Sequence, residues 1–309
     1  MEPAGAARAG AAPLLELAAP VADLALFLLT LAWGTTFLLV KNALDGTATG
    51  VFLLLRFGLA VAAVGAVVLW RRDRPTPGLW KHGLMMGGAM LTGFAFQTLG
   101  LRHTTPSRSA FITGLCVLLV PFLARGLYGR KVPASSWMGV FLAVAGLVAL
   151  YRDAIAATVQ LGDLLTGACS VAYAFQIVWT GEYSARHPLA LLTLVQIGTT
   201  FAGSALLLPL EPVTLASTPG LWGTVAFTGL VMTAGAFFVM NWAQRHTTAV
   251  RAALIYSLEP VTASLFSWGF GGEVLTDAML VGGGLIVAGV LVGEVGGAVL
   301  ARLRPVSAP

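Results

Sequence analysis

Two stretches decide the fold: RHTTPSRSAFITGLCVLLVPFLARG at residues 102–126 and RHTTAVRAALIYSLEPVTASLFSWG at residues 245–269. They lie 143 residues apart (245 minus 102), and the register holds without a gap from 102–148 onto 245–291. Fifteen of those 47 positions are identical, including Arg108 with Arg251, Gly126 with Gly269, Gly139 with Gly282, and the VAG at 144–146 with that at 287–289. Apolar segments resemble one another through composition alone, but a shared Arg-His-Thr-Thr does not arise that way. Further toward the N-terminus the match continues at a shift of about 140, with Trp33 on Tyr173 and Arg56 on Gln196. The chain is therefore an internal duplication, the feature to establish before any shorter motif.

Outward from the repeat, composition sets the solvent. The 309 residues are 57% hydrophobic and only 10% charged, with mean hydropathy +0.86. Soluble domains carry about 25% charge. This excludes a disordered chain and a disulfide scaffold, and the formal charge of +5 reports membrane orientation rather than a nucleic-acid partner. Cys116 and Cys169 both sit in apolar runs, as two buried thiols, with a cavity-lining role left open for Cys116.

Crossing a hydrocarbon core of about 30 Å takes roughly 20 helical residues. Ten apolar segments of about that length follow one another, at 22–40, 48–70, 80–100, 107–128, 135–151, 161–181, 188–209, 220–243, 248–270 and 277–299. Polar punctuation separates them, as in RRDRPTPG at 71–78, GRKVP at 129–133 and LEPVTLASTPG at 210–220. Backbone polar groups in lipid must be satisfied within the segment, and β-barrel strands are half this length and alternate, so the segments are helices. The expected class is an all-α integral membrane protein of ten transmembrane helices. Residues 1–21 form an N-terminal tail rather than a cleaved signal, 22–151 the first five-helix repeat, 161–300 the second, and 301–309 a C-terminal tail.

Basic residues orient the bundle. With the N-terminus in the cytoplasm, Arg8, Arg71, Arg72, Arg74, Lys81, Arg125, Arg130, Lys131, Arg186, Arg245, Arg302 and Arg304 fall on that side, against Lys41, Arg102, Arg108 and Arg152 on the other. The positive-inside rule then puts both termini in the cytoplasm of a multi-pass cell-membrane protein. Five helices per repeat is an odd number, so the second repeat enters the membrane the other way up. Inverted-topology repeats recur in secondary transporters, where two oppositely mounted halves exchange conformations about a site near the midplane.

Several stretches resemble the EamA-like family of the drug/metabolite transporter superfamily. They are LAWGTTFLLVKNAL at 31–44, LLLRFGLA at 53–60, TPSRSAFITGLCVLLVPFLA at 105–124, GDLLTGACSVAYAFQIVWT at 162–180, TTAVRAALIYSLEPVTASLFSWGFGGEVLT at 247–276 and GGGLIVAGVLVGE at 282–294. The resemblance covers nearly the whole chain after the tail, and implies ten helices in two tandem repeats and movement of small metabolites. It departs at Cys116, where such proteins commonly carry Asn.

Charges within apolar segments are expensive, and they face a bundle interior or a wet cavity. Glu259 is the most central acid, in IYSLEPVTAS. It is either a proton-coupling or cation-binding group, or a neutral carboxyl bonded to a neighbouring helix. Arg56 snorkels, pairs with an acid or attracts an anionic solute. Arg108 and Arg251 open repeat-related helices at opposite faces, as guards of cavity mouths or as interfacial anchors. The expected substrate cavity comprises Trp33, Gln97, Cys116, Tyr173, Gln176, Asn241, Tyr256 and Glu259; amides and aromatics of this kind also serve as interhelical glue. Pro121 and Pro260 each remove a helix hydrogen bond, to the carbonyls of Val117 and Tyr256, and mark kinks. GLMMG at 83–87 and GVLVG at 289–293 have the spacing that lets helices approach closely, inside the bundle by default or at a homodimer face.

The sequence contains no phosphate-binding loop, HExxH or Gly-x-Ser-x-Gly elbow, so no catalytic residues, metal or cofactor are expected and the chain does not read as an enzyme. The expected function is secondary transport of small organic metabolites or drugs by alternating access, in the direction of export, with proton or exchange coupling. The partners are a small-molecule solute and the lipid bilayer. The alternatives are an uncoupled facilitator or channel on the same scaffold, and a non-transporting membrane scaffold.

Overall fold

The computed structural model describes residues 6–152, 158–270, 274 and 276–303, so the extreme ends of both expected tails lie outside the described residues. Every regular element among the described residues is helical. The first half comprises α1 (Ala6–Ala43), α2 (Thr49–Arg71), α3 (Leu79–Arg102), α4 (Pro106–Gly114), α5 (Cys116–Tyr128) and α6 (Ala134–Leu150). The second comprises α7 (Leu161–Tyr183), α8 (Leu189–Ser204), α9 (Pro219–Ala226), α10 (Ala236–Ala243), α11 (Ala249–Tyr256), α12 (Glu259–Phe270) and α13 (Asp277–Leu303). A π-helical stretch, Phe227–Gly235, joins α9 to α10. The first helix reaches back to Ala6, into the expected tail.

Among the described residues, seven helical stretches are long and apolar enough to cross a membrane: Ala18–Ala43, Thr49–Arg71, Leu79–Arg102, Pro106–Tyr128, Leu161–Arg186, Leu189–Leu210 and Pro219–Ala243. Ala134–Leu150 and Asp277–Gly293 are apolar but shorter. The segment 249–270 is interrupted at Ser257–Leu258. Large apolar side chains such as Leu69, Trp70, Phe141 and Leu291 point outward, the inverse of a soluble protein and the expected face toward acyl chains.

The repeated Arg-His-Thr-Thr has a local structural role. Its second threonine caps the following helix: the Thr105 hydroxyl accepts from the Arg108 amide at 3.3 Å, and the Thr248 hydroxyl from the Arg251 amide at 3.2 Å. Both residues adopt extended backbone before α4 and α11, and Pro106 takes the first helical position in α4, where a missing N–H costs nothing.

The small residues of the repeat fix how its halves meet. A Cβ added at Gly139 would lie 2.6 Å from the Gly289 carbonyl oxygen, and one at Gly146 2.6 Å from that of Gly282. As numbering rises along α6 it falls along α13, so these repeat-related helices run antiparallel. Exchanging the halves maps each contact onto the other, since Gly139 corresponds to Gly282 and Gly146 to Gly289. Helices in lipid associate through close van der Waals approach, and only glycine allows backbones this near. The 83–87 pair works alike: Cβ atoms at Gly83 and Gly87 would lie 2.6 Å from Val195 and Thr199 on α8. Gly293 faces Leu254, so both small-residue motifs are occupied by contacts within the chain.

The fourth and ninth segments break at equivalent positions. Leu115 separates α4 from α5, and Ser257–Leu258 separate α11 from α12, with Leu258 exactly one 143-residue shift from Leu115. The second break falls immediately before Glu259 and Pro260, and Tyr256, whose carbonyl the Pro260 ring opposes, ends α11. The first falls six residues before Pro121, which lies inside α5.

Candidate transport site

The two breaks meet, with Gly114 beside one packed against Pro260 beside the other. A cavity of about 70 Å³ opens there, lined from the first half by Trp33, Thr36, Phe37, Val40, Arg56, Phe94, Gln97, Thr98, Leu101, Thr113 and Cys116, and from the second by Tyr173, Gln176, Ile177, Phe237, Met240, Tyr256 and Glu259. That volume holds a few waters, so a solute of metabolite size needs the walls to part. Cys116 and Glu259 are repeat equivalents (259 minus 116 is 143), and each begins the helix after its break. Trp33 and Tyr173 are likewise equivalent, and both line the cavity.

Aromatic rings form most of the wall. Trp33 lies 5.6 Å from Tyr256 and 5.9 Å from Phe237 between ring centroids, and Phe94 lies 5.7 Å from Tyr173 and 5.9 Å from Phe237. Arg56, 4% exposed, donates from Nε to Thr233 Oγ1 at 2.9 Å, and its guanidinium carbon sits 4.6 Å over the Phe94 ring. No carboxylate pairs with it within 4.0 Å among the described residues, so the structure replaces the expected ion pair with a hydroxyl and an aromatic face. The π-helical stretch supplies these supports, because Thr233 holds Arg56 and the Met232 carbonyl accepts from Trp33 Nε1 at 3.2 Å. Such stretches recur at functional sites because they re-aim side chains within a helix.

The amides divide between two tasks. Gln97 faces the cavity, donating to Thr113 Oγ1 at 3.2 Å and accepting from the Tyr173 hydroxyl at 3.4 Å. Gln176 also lines it and donates to Thr180 Oγ1 at 3.3 Å. Asn241 does not reach it. Fully buried, Asn241 donates to Thr193 Oγ1 at 2.9 Å and accepts from Gln196 Nε2 at 3.4 Å, joining α10 to α8. Phe94, Phe237 and Thr113 also line the cavity, and no sequence motif marks them; Phe94 and Phe237 are 143 residues apart, so extending the 143-residue register back from Arg102 is the signal that could have linked them.

Arg108 and Arg251 stand apart from the cavity. Arg108 Nη2 meets Asp163 Oδ2 at 2.7 Å, and Arg251 Nη2 meets Asp23 Oδ2 at 2.7 Å. Near the first of these, Arg102 pairs with Glu211 at 3.0 Å and Lys41 donates to the Leu101 and Thr104 carbonyls. Near the second, Glu182 takes both Arg130, at 2.6 Å, and Arg186.

The profile of the EamA-like transporter family matches twice, over residues 20–152 and 160–293, the two halves of the repeat. The chain belongs to the EamA-like transporter family. It is 30% identical over 272 residues to an uncharacterized transporter of Archaeoglobus fulgidus, covering 88% of this chain and 85% of that protein. It is 26% identical to the uncharacterized transporter YyaM of Bacillus subtilis, over 84% of this chain and 88% of YyaM. It is 24% identical to the uncharacterized inner membrane transporter YedA of Escherichia coli K12, over 92% of this chain and 94% of YedA. A solved crystal structure superposes with a TM-score of 0.75 at 21% identity, over 92% of this chain and 99% of its own, and shares the fold. This EamA-like protein is a multi-pass membrane transporter, and the solute and bilayer expected as its partners follow from that.

Proposed function

We propose that this transporter crosses the membrane ten times, in two five-helix repeats of inverted topology with both termini in the cytoplasm, and exports small organic solutes by alternating access. The observation that carries the reading is the presence of both Arg56 and Glu259 in one cavity. Both line one aromatic cavity at the meeting of the halves, and neither has an ion-pair partner among the described residues. Ionisable groups at membrane depth that no opposite charge neutralises ordinarily mark a solute path. The solute that completes this site carries a carboxylate for Arg56, an ammonium or other donor for Glu259, and an apolar body for the rings. The reciprocal glycine contacts between α6 and α13 and the equivalent helix breaks support the exchange of conformations between halves. Glu259 couples the cycle: it holds a proton when the cavity faces outward-derived protons and a solute cation when it faces the cytoplasm.

Proteoliposomes loaded with radiolabelled zwitterions, organic anions and organic cations test this. Zwitterions are expected to move fastest, and faster when a proton gradient opposes them. Glu259→Gln is expected to abolish the gradient dependence. Flux that ignores the gradient, with Glu259→Gln silent, makes the protein an uncoupled facilitator; absence of flux for every class overturns the proposed solutes.

A further inference from the structure

The two ion pairs Arg108–Asp163 and Arg251–Asp23 are one device used twice. The arginines are repeat equivalents at a shift of 143, and the aspartates correspond at a shift of 140, the same shift that relates Trp33 to Tyr173. Each arginine opens a helix behind a capping threonine, and each uses Nη2 to meet an Oδ2 at 2.7 Å. Each pair also crosses between halves. Arg108 of the first half holds Asp163 in the first turn of α7, and Arg251 of the second half holds Asp23 in α1. Lys41, near the C-terminal end of α1, donates to the carbonyl of Thr104, whose hydroxyl donates to Asp163, whereas Asp23 lies far back along the same helix, so the bridges stand toward opposite ends of α1 with the cavity-lining Trp33, Thr36 and Phe37 between them.

We infer that these are paired gates: Arg108–Asp163 closes one end of the transport path, Arg251–Asp23 closes the other, and each open state parts one bridge while keeping its twin. The inference rests on the alternating-access reading and adds the residues that alternate. Both bridges are formed in the structure, consistent with a central cavity too small for a metabolite. Both pairs are partly buried, with side-chain exposures of 13% and 8% at one end and 35% and 17% at the other, so water weakens them less than a bridge in bulk solvent. Breaking either removes a contact made between halves, and the opposite bridge then sets which end stays shut. Removing one bridge is therefore expected to move the conformational equilibrium in the direction that its own end opens.

Cys116 reports which end is open, since it lines the cavity and is only 6% exposed. In a Cys169→Ser background, its labelling by a membrane-impermeant maleimide is measured in right-side-out and inside-out vesicles. Asp163→Asn and Arg108→Gln are expected to raise labelling from the Arg108 end by about five- to tenfold, the scale of a modest coupling energy, and to lower it from the other. Asp23→Asn and Arg251→Gln are expected to do the reverse. Asp163 also accepts from Thr104 Oγ1 at 3.1 Å and from the Gln160 amide at 2.7 Å, so should Asp163→Asn fail to fold, Arg108→Gln reads the same gate. If Cys116 reacts from both sides in the background chain but the membrane-inserted variants shift neither rate, or all shift it to one side, the gates are wrong and two-sided access stands. If Cys116 reacts from one side only in every chain, alternating access itself fails.

Discussion

Gly114 and Pro260, each beside the break of its own helix, pack against each other across the two halves: a Cβ at Gly114 would lie 2.8 Å from Pro260 Cγ and 3.3 Å from Leu147 Cδ2. The absence of a side chain at one break makes room for the proline ring at the other. Gly114→Val is expected to destabilise the protein by about 1–3 kcal/mol through overpacking. It is also expected to impair transport, because the contact joins the two segments that carry Cys116 and Glu259. Thermal unfolding in detergent checks the first effect and vesicle flux the second. Gly126→Ala, with open space around the added carbon, serves as the quiet control.

The α6–α13 seam is expected to be equally intolerant. Gly146→Val and Gly282→Val each drive a branched side chain into a backbone 2.6 Å or less from its Cβ, and each is expected to lower the unfolding temperature markedly. The two effects are expected to be non-additive, since both changes press on the same pair of turns. A double-mutant cycle on thermal stability measures this.

Arg56 is expected to matter for solute rather than fold. Arg56→Gln keeps a donor for Thr233 but loses the charge over Phe94, and a charged hydrogen bond to a solute carboxylate is worth about 1.5–3 kcal/mol. Zwitterion and anion flux is expected to fall by roughly 10- to 100-fold, with organic cations affected least. Radiolabelled flux with each solute class measures the difference.

Asn241 and Gln97 are expected to separate cleanly. Asn241→Leu leaves Thr193 and Gln196 without their partner in a buried site, at a cost of about 1–3 kcal/mol in stability. Transport by the protein that remains folded is expected to keep its KM. Gln97→Leu is expected to change KM with little loss of stability, because its amide faces the cavity. Thermal unfolding and flux kinetics on both variants test the contrast.

How far the site was legible in the sequence follows from these residues. Periodicity and the Arg-His-Thr-Thr duplication pointed to helices in two related halves, and the family match and the helical fold agree. Aromatics and amides in apolar segments were visible as a class, and Trp33, Gln97, Cys116, Tyr173, Gln176, Tyr256 and Glu259 all line the cavity. Asn241 does not, because sequence cannot tell an amide that joins two helices from one that faces a hollow. Asp23 and Asp163 went unremarked because a carboxylate near a helix end is ordinarily solvated; only the fold shows each within 2.7 Å of a repeat-related arginine. The break at Leu115 lies apart from Pro121 and beside Gly114, so it follows the packing of Pro260 rather than a proline of its own helix.

A histidine pair outside the cavity is expected to make the protein's stability depend on pH. His187, in the connection before α8, faces His82 with 2.7 Å between Nε2 and Nδ1, and its own Nδ1 lies 2.6 Å from Thr76 Oγ1. Burial pushes the His187 pKa below its usual 6.5, and the charges of His82, Arg186 and Arg245 add to this. The unfolded chain therefore binds more protons there than the folded one, so stability is held above about pH 6.5 and declines as pH falls below it. Unfolding temperature is expected to drop between pH 7.5 and 5.5, and His187→Gln to flatten that drop. A pH series of thermal scans on both chains measures it.

The mirror mounting of the halves underlies every step, and the two copies of Arg-His-Thr-Thr test it most directly. In a chain with Cys116 and Cys169 replaced by serine, His103→Cys and His246→Cys are labelled separately in sealed vesicles of known orientation. Position 103 is expected to react only from outside the cell and position 246 only from the cytoplasm. Reaction of both positions from the same side would contradict it.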